Sequence, residues 1–101
     1  MTNDQYQSLS SELLSLAKSI EDSKRPAYTI GSLDVLNSFK SIATRVGVTP
    51  SQVWAVYFLK HVDAITAAAN SDKIPQAEEL SGRFADAINY LKLGWALISE
   101  K

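Results

Sequence analysis

Thr49-Pro50-Ser51-Gln52-Val53-Trp54-Ala55-Val56-Tyr57-Phe58-Leu59 carries two opposed signals. From Val53 onward, β-branched and aromatic residues crowd together, the composition that suits a half-buried strand. The four residues before them write a helix start instead. Thr49 offers an N-cap hydroxyl, Pro50 stands at N1, where its missing N–H leaves no bond unmade, and Gln52 stands at N3, where its carboxamide can return to the cap amide. Val48 and Val53 are placed to close a hydrophobic staple across that start. A strand has no use for such a cap, and the apolar recurrence continues to Ile65, so the spacing predicts a helix over 50–69.

Working outward gives three more helices. Tyr6, Leu9, Leu13, Leu16, Ala17 and Ile20 recur at three- and four-residue steps, marking an N-terminal helix within 1–23. Residues 24–32 read as a basic loop, because Pro26 restricts Arg25 and Gly31 permits a turn. Ser32 then caps a helix carrying Leu33, Leu36, Phe39, Ile42, Ala43 and Val46, which Gly47 ends in the left-handed conformation. After a turn over 70–75, a fourth helix runs from about Gln76 to Ser99. Its expected core stripe is Phe84, Ala87, Ile88, Leu91, Trp95 and Ile98, with Leu93, Leu97, Asp86 and Tyr90 on the other side. The result is an all-α, compact bundle of four helices in a single domain over 1–101, residues 33–101 forming a three-helix core. A fourth helix apolar on two sides calls for neighbours on both, so a homo-oligomer packed through helices three and four is expected.

Composition removes several classes of function. Ten Lys and Arg against eleven Asp and Glu leave a net charge of −1, so no overall field gathers duplex nucleic acid and any anion site must be local. Without cysteine, and with His61 the one histidine, thiolate chemistry and zinc are not expected. No glycine-rich phosphate loop or nucleophile elbow is present. A helix-turn-helix over helices two and three is a rival, but helix three lacks base-reading side chains. No apolar run nears the roughly 20 residues needed to cross a bilayer, and the N-terminus lacks a signal-peptide pattern, so a cytoplasmic protein is expected.

The candidate functional residues lie in Lys60-His61-Val62-Asp63 and Arg83-Phe84-Ala85-Asp86-Ala87-Ile88-Asn89-Tyr90. Arg83, Asp86 and Tyr90 share a helical face, flanked by Asn89, and Lys60 sits at the boundary of its own apolar side. His61 falls among Trp54, Tyr57, Ala64 and Ala68, as a hydrogen-bonded core histidine would, and Asp63 falls on the solvated side. Lys24, Arg25 and Tyr28 put cations and an aromatic around a proline, a pattern that can hold phosphate and stack a base. Each also has an ordinary reading: Asp86 as the partner of Arg83 or Lys60, the aromatics as core, and the basic stretch as a solvated loop.

Arg25-Pro26-Ala27-Tyr28-Thr29-Ile30-Gly31, Lys60-His61-Val62-Asp63-Ala64-Ile65 and Arg83 to Leu91 together resemble small bacteriophage-encoded proteins related to the MazG-like and nucleotide modification associated domains. That resemblance covers about residues 24–98. It implies an all-α, oligomeric fold with nucleotide bound between helices, and Mg²⁺ held by carboxylates in hydrolytic members. The paired acidic motifs of those hydrolases are not matched: helix three offers Asp63, and helix four offers Glu79 and Asp86 with Arg83 between them. The reading this pattern favours is therefore a nucleotide-binding protein without catalytic residues, resident cofactor or metal, a phage sponge that sequesters a nucleotide or cyclic nucleotide of host immunity. Its ligand-binding set is Arg25, Tyr28, Lys60, Arg83, Asp86, Asn89 and Tyr90. The alternatives are a Mg²⁺-dependent MazG-like pyrophosphohydrolase using Asp63, Glu79, Asp86 and His61, and a helical protein-interaction module.

Overall fold

The computed structural model describes residues 1–29, 31–72 and 77–101, with the side chains of 27–29, 77 and 78 outside that set. Four helices follow in order: α1 (Asn3–Thr29), α2 (Asn37–Val46), α3 (Pro50–Ala69) and α4 (Ala77–Ser99). Each packs against two others, α1 on α2 and α4, α3 on α2 and α4, so the four close into a ring around one core. No described helix is long and apolar enough to cross a membrane.

The α3 start forms as its residues require. Thr49 Oγ1 accepts from the Gln52 amide at 3.1 Å and Gln52 Oε1 accepts from the Thr49 amide at 2.9 Å, satisfying two backbone donors that a helix N-terminus would otherwise leave open. The same Thr-x-x-Gln box begins α1 through Thr2 and Gln5. At the end of α2, Gly47 takes φ 82° and its amide, with that of Val48, donates to the Ala43 carbonyl. That geometry favours glycine because a Cβ disfavours left-handed backbone.

Two expected boundaries move. Lys24, Arg25 and Pro26 belong to α1, which runs to Thr29, and do not form a basic loop. Proline removes one helical amide donor, but ion pairs bind the surrounding turns: Lys18 with Glu21 and Asp22, Arg25 with the same two carboxylates, and Lys24 with Asp86 on α4. The second shift is at α2, which starts at Asn37 rather than after Ser32. Ser32 Oγ accepts from the Asp34 amide and Asp34 Oδ1 from the Leu36 amide, so these side chains hold a turn in place of a helix. The expected turn at 70–75 and the start at Gln76 fall partly outside the described residues.

Leu36 at the N-cap of α2, Phe39 and Ala43 within it, Val53 of α3 and Leu97 of α4 form the central cluster, with Ile42, Trp54, Tyr90, Leu93 and Ala96 packed against it. Trp54 lies across Gly94, its Nε1 donating to the Tyr90 carbonyl at 2.7 Å. Ala17 on α1 and Ala85 on α4 are both buried, and the Asn89 Nδ2 donates to the Ala17 carbonyl at 2.8 Å. The expected α4 core stripe is thus replaced by its opposite face. Ala85, Asn89 and Leu97 are buried, and Phe84, Leu91, Trp95 and Ile98 are exposed. Small side chains win the inner position because they let α1 and α3 approach the α4 backbone closely.

Candidate functional site

α4 packs against α1 on one side and α3 on the other, and along this junction Lys24 of α1, Lys60 and His61 of α3, and Arg83, Asp86 and Tyr90 of α4 act on one another. Lys24 Nζ lies 3.3 Å from Asp86 Oδ1, the carboxylate less exposed than its partner. His61 and Tyr90 have ring centroids 4.9 Å apart. Tyr90 also sits 6.3 Å from both Phe39 and Tyr57, which fixes it as the aromatic floor beneath the charged groups. Arg83 reaches back along α4 to Glu79 at 3.3 Å, and Lys60 is exposed at the edge.

The field at this junction is written in His61. Burial pushes its pKa down from the ordinary value; Asp86 opposes the shift, and Lys24, Lys60 and Arg83 reinforce it. One carboxylate and three cations therefore act on one half-buried imidazole. Such a group is neutral at neutral pH and has both a donor and an acceptor nitrogen.

The other candidates go elsewhere. Arg25 pairs with Glu21 and Asp22 of its own helix. Asn89 is 2 % exposed, held to α1 through Nδ2, and its Oδ1 has no hydrogen-bond partner among the described residues. Both line a separate cavity of about 240 Å³ with Glu21, Lys92, Val35 and Leu93. There the Lys92 ammonium pairs with Glu21 and holds that carboxyl below its usual range. The role expected of the Tyr28 side chain falls outside the described residues.

Of the expected ligand set, then, Lys60, Arg83 and Asp86 all act electrostatically on His61, which lies against Tyr90, and Arg25 and Asn89 line a different cavity. Lys24, expected in a basic loop, and His61, expected among core residues, both lie at the junction. The signal for Lys24 is absent from local sequence, since its carboxylate partner lies 62 residues away. The carboxylates of the hydrolase alternative, Asp63, Glu79 and Asp86, do not gather: no three acidic or imidazole groups among the described residues are placed to hold a metal ion. This donor set does not fit Mg²⁺ within one chain, which on this chemistry prefers several hard oxygen ligands.

Comparison with known proteins finds no matching family model, no matching curated protein and no matching solved structure.

Proposed function

We propose that the α1/α3/α4 junction binds a small phosphorylated ligand carrying an aromatic base, without transforming it. The observation that carries this reading is the Lys24–Asp86 pair bridging α1 and α4 beside the His61–Tyr90 ring contact, with Lys60 and Arg83 near enough to act on the same imidazole. Three cations against two carboxylates, Asp86 and the Glu79 that pairs with Arg83, leave one positive charge in excess on a chain whose overall charge is −1, which favours an anionic guest here. In the proposed complex Lys60 and Arg83 meet phosphate, Lys24 holds Asp86 in place, and Asp86 accepts from a base amine or ribose hydroxyl. The imidazole of His61 stands at the rim of the aromatic floor formed by Tyr90 and Tyr57. The narrower reading, a phage sponge for a signalling nucleotide, rests on the sequence resemblance.

The test is thermal shift with nucleoside mono-, di- and triphosphates and cyclic dinucleotides, with and without Mg²⁺. A ligand present at about 100 times its Kd adds about 2.7 kcal/mol to stability. The stabilisation is expected to vanish in Lys60→Ala/Arg83→Ala, whose exposed side chains carry little of the fold. A phosphate bound here should also raise the pKa of His61, read from the one histidine resonance by NMR. If no nucleotide shifts melting or that resonance, the reading is wrong. Turnover of a triphosphate by the pure protein would replace it with the hydrolase.

A further inference from the structure

α4 carries a second apolar stripe that the bundle leaves bare. Phe84, Ile88, Leu91, Trp95 and Ile98 succeed one another at steps of four, three, four and three residues, the a/d spacing along which helices pair. Leu91 is 55 % exposed, Trp95 71 % and Ile98 58 %, with Phe84 exposed and Ile88 half-buried beside them. The inner stripe of the same helix, Ala85, Asn89 and Leu97, is already spent on α1, α2 and α3. A contiguous outer stripe of large apolar side chains marks an interaction surface.

We infer that this face is a homodimer interface in which two copies of α4 pair antiparallel about a two-fold axis at Leu91. The seam is its own complement, as a two-fold contact requires. Turned end for end, Phe84 meets the partner's Ile98, Ile88 meets the partner's Trp95, and Leu91 meets the partner's Leu91. Each aromatic is set against an aliphatic, so the layers interdigitate. A parallel pairing would stack Trp95 on the partner's Trp95 in one layer and Phe84 on the partner's Phe84 in another. The outer face offers roughly 500 Å² per copy, given that an aromatic side chain buries about 150–250 Å², so a pair covers about 1,000 Å², the lower bound of a specific interface. An interface at that lower bound suits a reversible dimer rather than a permanent one. It stands independently of the nucleotide reading.

Sedimentation velocity from low micromolar to submillimolar concentration tests this. The wild-type chain is expected to move from its monomer mass of 11.1 kDa to twice that value. Leu91→Asp/Trp95→Asp, altered at positions exposed in the single chain, should retain helicity by circular dichroism and stay monomeric throughout. Because the chain has no cysteine, Leu91→Cys isolates the axis: oxidation should link two copies through it, and Trp95→Cys should link poorly. The inference fails if the wild type stays monomeric at the highest concentration, if the double variant assembles like the wild type, or if Trp95→Cys links as readily as Leu91→Cys.

Discussion

The inner and outer faces of α4 are built to opposite rules. Inside, Ala85, Asn89, Gly94 and Leu97 are buried in the bundle; outside, Phe84, Leu91, Trp95 and Ile98 are exposed. The less hydrophobic face is the one in the core. Burial here follows how closely backbones can approach, because close packing favours the stripe that fits over the stripe with more apolar area.

Leucines on the two faces provide the largest test of that contrast. Leu97→Ala empties part of the central cluster and should cost about 2–5 kcal/mol in urea denaturation. Leu91→Ala, measured at low micromolar concentration, should stay within about 0.5 kcal/mol of wild type. Equal losses would mean that the faces are not distinct. Gly94→Ala comes next. A Cβ at that position would run into the Trp54 indole, which its bond to the Tyr90 carbonyl holds in place, so a loss of about 1–3 kcal/mol is expected from overpacking. The complementary change Trp54→Phe should relieve part of that strain, and failure of any rescue in the double variant would separate Gly94 from Trp54.

The smallest expected effect is pH-dependent and concerns His61. Its folded pKa lies below the ordinary value, chiefly through burial. In the interval between the folded and unfolded pKa the unfolded chain binds more protons, so stability rises with pH there. The contribution is complete above an unfolded pKa of about 6.5 and is lost as pH falls toward the folded one. His61→Gln should flatten this dependence in denaturation curves taken on both sides of that interval. An unchanged profile would remove His61 from the group sensing Lys24, Lys60 and Arg83.

Features governed by neighbours in the chain were legible, and features governed by distant partners were not. The α3 cap, its bounds at Pro50 and Ala69, and the left-handed Gly47 each depend on a few adjacent residues. The Thr2–Gln5 box was equally readable by the same rule. The extension of α1 past Pro26 was not, because the Lys24 to Asp86 contact spans the fold. Ser32 misled because a serine that can cap a helix can equally hold a turn, and here Asp34 two residues on decides for the turn. For the site, helical spacing put Arg83, Asp86 and Tyr90 on one face. It could not say that Lys24 would arrive from α1, or that Asn89 would turn toward that helix instead.

That bond from Asn89 to the Ala17 carbonyl also selects one alignment of α1 among several greasy ones. Along the α1 stripe, Leu13, Leu16 and Ile20 would each hold a neighbouring helix away from the backbone, and Ala17 alone is small enough for a carboxamide to reach a main-chain oxygen. Sliding α1 by one turn, about 5.4 Å, so that Leu13 takes the place of Ala17 would bury the amide against a leucine, with its donor unmatched. Apolar contact holds the helix to the bundle, and one polar group tells it where to stop.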